Sequence, residues 1–368
     1  MKQEIQYIEK EFMPSKKGWW IGRASTGIAL SLKAVASVKK QRKIIMPSTG
    51  CAALVQMALY EGFDPIFVDL DLDNLSYDIN SLEDCLDDDI AALLVVHQLG
   101  MPANIEELKK IIKSKSKEKI YIIEDVCQAL GGKFNGKRLG SEGDFSVFSF
   151  SGDKIISIGK GGYLGCNAEE MIERVEQLLF ELPETPSNQR LRLLSLSHRN
   201  LYHAAVDLLR VNNKFNFNFS AFIDNYKELY YFKSALTHDD FIKLIHEFEK
   251  LDENNKKRIH LAKTFTHGLE GIDGISIPKC WNDSGTLWRY SIYIDKSKQQ
   301  ELTQIIRSKG HDASNHYWSL PMLFGYSQNL KNTTFYINSV LNLWVDKRNN
   351  LTKVAQIIDI ISEYFAKK

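Results

Sequence analysis

IYIIEDVCQALGG, residues 120–132, and FSVFSFSGDKIISIGKGG, residues 145–162, decide how this chain is read. Each opens as a nearly continuous apolar run, the pattern of a strand covered on both faces in a parallel sheet. The first run ends in the carboxylate of Asp125, and the second passes Ser149 and Lys154 before reaching glycines. Working outward, similar runs recur at KIIMPS (43–48), PIFVDL (65–70), AALLVVHQL (91–99), KIYIIED (119–125), FSVFSFS (145–151) and GGYLGCN (161–167). Helix starts are legible between them. Asn104 with Glu107 predicts a capping box before LKKIIK, and Asn167 with Glu170 predicts another before MIERVEQLL. The alternation predicts an α/β domain, a mostly parallel sheet covered by helices.

The pattern changes after Glu181. ELPETPSNQ reads as a loop, residues 190–210 as a long apolar helix carrying several basic residues, and NKFNFNFSAF (213–222) as partial period-two alternation. Thr237 with Asp240 predicts another helix start. Behind it Phe241, Leu244, Ile245, Phe248 and Leu251 form one apolar stripe. WRYSIYID (288–295), a helix over 297–309, LWVD (343–346) and a terminal helix suit a smaller α+β unit. The expected organisation is an N-terminal arm (1–20), a large domain (21–235) with a helical insertion at 181–235, and a small C-terminal domain (236–368).

Bulk composition narrows the function classes. The chain has 368 residues, 44% hydrophobic and 25% charged, with a net charge of +1. That balance gives no broad electrostatic case for nucleic acid. Five widely spaced cysteines argue against a disulfide framework, and no Cys/His spacing suggests a metal. The polar N-terminus lacks a signal peptide's apolar core, and no run approaches the roughly 20 apolar residues of a membrane helix. The expectation is a soluble protein of the cytoplasm.

In open parallel sheets, ligands sit beyond the carboxyl ends of the strands. An acid and an amine set just past two such ends are what a pyridoxal phosphate (PLP) site needs. The lysine forms a Schiff base, and the acid stands beside the pyridine nitrogen. On the residues alone, plainer readings stay open: Asp125 as a turn cap, Lys154 as a loop lysine, Ser149 bonded to local backbone, and Lys160 as a rival amine. STGIALSL (25–32) reads as a turn opening a helix, where free N–H groups and the dipole favour phosphate. DLDLDN (69–74) has neither the Gly nor the Glu of a calcium loop and reads as a turn. His198 and His203, five residues apart, do not share a helix face. The 190–210 helix is expected in a dimer interface or over the active site.

Several blocks resemble the DegT-type sugar aminotransferases, PLP enzymes of fold type I that aminate nucleotide-linked keto-sugars. These are IIMPS, the gap-free stretch from Pro47 to Gly62, PIFVDLDLDNLSYD, VVHQLGMPANIEEL, IIEDVCQALGGKFNGKRLGSEGDFSVFSF, the 247–269 helix and LWVD. They occur in the family's order and span most of residues 20–365. The resemblance implies a role for each candidate. Lys154, five residues past Ser149, would be the Schiff-base lysine, and Lys160 falls where the family has Glu. Asp125 would face the pyridine nitrogen, Gln128 the ring, and Ser149 with Ser25, Thr26 and Gly27 the phosphate. Gly50 stands where the family has Thr, and Cys51 where an aromatic stacks on the ring. A GYN-x-RM segment is not recognisable, 181–235 replacing it, and HYWSLPML (316–323) lacks the family loop's second histidine. The resemblance implies amino transfer, with glutamate the expected donor, to a nucleotide-linked keto-sugar by a homodimer. The alternatives are PLP-dependent dehydration of a similar sugar and a silent homologue acting as a binding protein.

Overall fold

The computed structural model describes residues 1–212, 218–279 and 286–366. A seven-stranded sheet organises the first half of the chain. Its strands are β1 (Lys17–Ile21), β2 (Lys43–Pro47), β3 (Asp64–Val68), β4 (Ile90–Val96) and β5 (Tyr121–Asp125). A short hairpin follows, β6 (Lys133–Phe134) and β7 (Lys137–Arg138), and then β8 (Phe145–Ser149) and β9 (Gly162–Cys166) complete the sheet. The spatial order is β1-β9-β8-β5-β4-β2-β3. From β8 to β3 every pairing is parallel, and β9 runs against both of its neighbours.

The continuous apolar runs have the cause expected of them. Every residue of β4 and β5 is buried. Alternate side chains enter two cores, Leu94 and Val96 one of them, Leu93 and Val95 the other. Helices Ala24–Val38, Ala52–Tyr60, Ile105–Lys115 and Glu169–Phe180 belong to this part of the chain. Asn104 caps its helix by accepting the Glu107 amide at 3.2 Å. Asn167 does not cap. The helix behind it starts at Glu169 with Ala168 at the cap position, while Asn167 accepts the Lys16 amide and donates to the Gly143 carbonyl at 2.8 Å. That side chain ties three segments together, a use the local spacing could not reveal.

Residues 1–20 are more than an arm. They fold as helix Lys2–Phe12 and edge strand β1. Trp20 anchors both, its indole N–H donating to Glu9 at 2.7 Å and its ring packing on Phe150, Tyr163 and Phe241. The expected insertion helix is present at Asn188–Val211. The alternation at 213–222 yields no strand where described: Phe219–Phe222 is a 3-10 turn, and 213–217 lie outside the described residues.

A second sheet forms from the C-terminal part. It contains β10 (Ile275–Ser276), β11 (Arg289–Ile294), β12 (Ala313–Ser314) and β13 (Val340–Trp344), ordered β10-β11-β13-β12 and antiparallel throughout. It is tied to the carboxyl edge of the large sheet. The Thr286 and Trp288 amides donate to the carbonyls of Gly100 and Leu99 at 3.1 and 2.8 Å. Gly100 is obligatory there, with φ +93° and a position where a Cβ would lie 1.6 Å from the Thr286 oxygen. Leu320 N–H donates to the Ser48 carbonyl, and Asp69 accepts the amides of Asn332 and Thr333. The DLDLDN turn therefore uses its first carboxylate to hold the C-terminal segment.

Candidate active site

The carboxyl edge of the large sheet and the C-terminal layer enclose the candidate site. Register explains how its parts meet. Ser149 at the end of β8 pairs with Gly162 at the start of β9, and Gly162 pairs in turn with Ile21 at the end of β1. Helix Ala24–Val38 begins just beyond Ile21, so its positive end lies beside Ser149. Gly162 makes this approach possible. A Cβ there would stand 2.6 Å from the Ala24 nitrogen and 3.0 Å from the Phe148 oxygen.

Asp125 ends β5, 6% exposed, and its carboxylate accepts the Cys127 amide at 2.8 Å. Gln128, buried on the turn after it, is held from both ends. Its carbonyl oxygen accepts the Leu99 amide at 2.8 Å, and its NH₂ donates to the Tyr317 hydroxyl at 3.2 Å. Behind them, His97 accepts the Ala103 amide on Nδ1, so Nε2 carries the proton and donates to Glu124 at 2.9 Å. Burial alone would raise the Glu124 carboxyl. The His97 bond and the Gly140 and Gly143 amides outweigh it and hold the group below its usual range. This buried pair braces the ends of β4 and β5, and the sequence reading passed over it.

The two lysines separate clearly. Lys160 is bound to Asp240 at 2.7 Å, the carboxylate that also closes the Thr237–Asp240 capping box. Lys154 is half-buried, and among the described residues no carboxylate lies within 4 Å of it. Its ammonium stands over the Trp288 ring, 5.5 Å from the centroid, and its charge acts on Cys51 and Cys127 together with that of Asp125. Lys154, Asp125, Gln128 and Ser149 thus converge at one edge, and Lys160 belongs elsewhere.

The turn at 25–27 departs from its expected use. The Ser25 and Thr26 hydroxyls donate to the Tyr230 carbonyl at 2.8 and 2.9 Å, which leaves the helix start and its backbone rather than these side chains for an anion. Gly27 serves packing: a Cβ there would meet Val147 at 2.8 Å and Ile21 at 2.9 Å. Cys51 opens to solvent at the cap of helix Ala52–Tyr60. It supplies no aromatic wall itself, but it acts electrostatically on three neighbouring phenols, Tyr202, Tyr230 and Tyr317. Burial raises all three phenol pKa values, so they stay neutral donors.

Two of those tyrosines come from the insertion, which sequence spacing could not place. Tyr230 lies 3.0 Å from His198 Nε2, and the His198 ring packs on Phe219, Tyr226 and Tyr230. Burial, aided by the charge of Arg23, lowers His198 to about 4. Arg210 stacks over Trp318 at 5.0 Å, and His203 approaches His316 with ring centroids 6.3 Å apart. The helix therefore lies over the site, one of the two placements expected. Leu193, Leu196, Leu208 and Val211 remain exposed on it. No helix of the described residues is long and apolar enough to cross a membrane.

Comparison with known proteins agrees with this fold. GDP-perosamine synthase from Escherichia coli O157:H7 is 31% identical over 172 residues, 46% of this chain and 46% of that protein. GDP-4-keto-6-deoxy-D-mannose 3-dehydratase from Escherichia coli O55:H7 is 30% identical over 179 residues, 46% of this chain and 45% of that protein. The matches thus span about half the length of these relatives. The structure of the aminotransferase TlmJ from Streptoalloteichus hindustanus superposes with a TM-score of 0.76 over 99% of this chain and 90% of that one. At 18% identity that is a likeness of fold. The sequence pattern of one family matches residues 9–193 and 241–362, passing over most of the insertion. Those segments carry both sheets and the Asp125–Lys154 edge, and the chain belongs to the DegT/DnrJ/EryC1/StrS aminotransferase family.

Proposed function

We propose that the protein is a PLP-dependent aminotransferase that moves an amino group, taken from glutamate, to a nucleotide-linked keto-sugar, working in the cytoplasm as a homodimer. The observation that carries this reading is Lys154, a half-buried amine with no carboxylate partner among the described residues, converging with Asp125, Gln128 and Ser149. The donor set fits the cofactor. Lys154 would bind its aldehyde carbon, Asp125 would hold the proton on its pyridine nitrogen, and Gln128 would lie against the ring. Ser149 and the start of helix Ala24–Val38 would take its phosphate. The cofactor, when bound, supplies an electron sink for the carbon that carries the amine.

The chain's own residues do the rest. With the cofactor bound, the Lys154 amine would be placed to take a proton from the donor's α-carbon and to return it as general acid. The Trp288 ring beside it fixes where that amine sits. The Asp125 carboxylate would lie opposite the cofactor's ring nitrogen, where opposite charges stabilise each other at short range. The insertion helix and the Tyr317 segment limit access of water. Four described cysteines, Cys51, Cys85, Cys127 and Cys166, are unpaired, in keeping with a reducing compartment.

Similarity to a 3-dehydratase keeps sugar dehydration as a second reading. Lysine at position 154 favours transfer, because transfer needs an amine that takes up and returns the proton of the amine-bearing carbon. Purified protein given PLP should develop the absorption band of a lysine-bound cofactor and aminate a nucleotide-linked keto-sugar only when glutamate is present. A product that has lost a sugar hydroxyl and retains no new amine assigns the dehydratase, and absence of the band overturns both readings.

A further inference from the structure

A cavity of about 130 Å³ lies between the Lys154 loop and the C-terminal sheet, its walls including Asp153, Trp288, Arg289, His316, Tyr317 and Trp344. Arg289 is the feature that asks for an occupant. It is 3% exposed, and its guanidinium is packed against two indoles, 4.0 Å from the Trp288 centroid and 4.1 Å from that of Trp344. Packing of this kind fixes the plane of the fork before any ligand arrives.

Its charge is incompletely answered. Among the described residues, the guanidinium's one hydrogen bond runs to the Trp288 carbonyl at 2.8 Å, out of five N–H groups available. Asp346 bonds Arg348 at 3.0 and 3.1 Å and stands 3.5 Å from Arg289, and the exposed Asp153 stands 3.8 Å away. A second buried cation, Arg258, draws on the same Asp346. Two buried guanidiniums thus share a carboxylate that already bonds Arg348, and an uncompensated buried charge is costly. His316 adds no negative charge. Burial first, then His203, Arg289, Arg307 and Arg210, holds its imidazole at about 4 and so neutral at pH 7.

Position and size select the anion. One indole, that of Trp288, lies within reach of both Lys154 and Arg289, so the two charges are roughly 10 Å apart at most. The volume equals roughly four liquid waters at about 30 Å³ each, room for a carboxylate on a short stem and too little for a nucleotide diphosphate. The planar fork matches a carboxylate's two oxygens. We propose that this cavity is the carboxylate pocket for the amino donor, with Arg289 as its anchor. The assignment rests on the transfer reading of Lys154.

Calorimetric titration of the PLP-loaded protein with glutarate, an amine-free dicarboxylate, tests it. The expected result is saturable binding that glutamate competes away, that neutral glutaramide does not reproduce, and that weakens at least tenfold in Arg289→Lys. Lysine keeps the charge and loses the fork, so the variant's melting temperature and PLP band should stay near wild type. Absence of saturable glutarate binding to the wild type overturns the proposal, as does unchanged affinity in Arg289→Lys. The PLP band in the same samples separates the two claims. Wild type that shows the band but ignores glutarate loses only the pocket. Wild type that binds glutarate through Arg289 without a band keeps the pocket and loses the transfer reading.

Discussion

The carboxyl edge at 120–162 and the insertion at 181–235 both face one site, yet they are built in opposite ways. At the edge, Asp125 and Ser149 stand at strand ends, and β5 and β8 are bound to their neighbours residue by residue. A slip of one residue would turn every side chain to the other face, so register alone fixes them. The insertion reaches this edge by side chains and by a few carbonyls, those of Tyr230 and Phe232 among them, and keeps exposed leucines on its outer side. The proposed chemistry therefore rests on the edge that register fixes, and enclosure is left to the insertion.

Substitutions can break or sharpen that contrast, and the largest effect belongs to the edge. Lys154→Ala should abolish the PLP band and cut amino transfer by about a thousandfold or more while leaving the melting temperature unchanged, because it removes nucleophile and proton carrier together. Gly162→Ala follows. Its Cβ would push the helix start away from Ser149, so PLP affinity should fall about tenfold, with a loss of roughly 2–3 kcal/mol of stability on denaturant titration.

Acid should loosen the insertion before the edge. His198 and His316 have folded-state pKa values of about 4, with burial the main cause in both, against about 6.5 when unfolded. Between those values the unfolded chain binds more protons, so stability should fall as pH drops from about 6.5 to 4 and level off below. Proteolysis within 181–235 over that window reads the effect locally. A first cut at the hairpin β6–β7 would instead make the edge the weaker region. The smallest effect is expected for Lys160→Ala. Its bond to Asp240 is made by a half-exposed ammonium, so stability should change by about 1 kcal/mol or less, with the PLP band intact.

The two regions were also unequally legible. Apolar runs found five of the seven large-sheet strands within a residue or two at each end, since burial on both faces leaves an unbroken apolar record. Strand β4 was found as well, although the run at 91–99 carried past its end into a turn at Gln98–Gly100. Strand β1 escaped because KGWWI is short and lies at an edge. The spacing of Lys154 to Ser149 distinguished it from Lys160 only through resemblance. The physical reason, capture of Lys160 by Asp240, depends on a contact 80 residues away in the chain. Cys51 announced a missing aromatic, but nothing local could announce that Tyr202 and Tyr230 gather beside it. Arg289 is similar, since beyond its neighbour Trp288 its meaning comes from Trp344 and a shared aspartate, both more than 50 residues away.

The account stands or falls on which amine the site uses. Protein loaded with PLP can be reduced with borohydride, digested, and sequenced by mass spectrometry to locate the pyridoxyl group. The account predicts a single modified residue, Lys154. A label on Lys160, or one scattered over surface lysines, would contradict it.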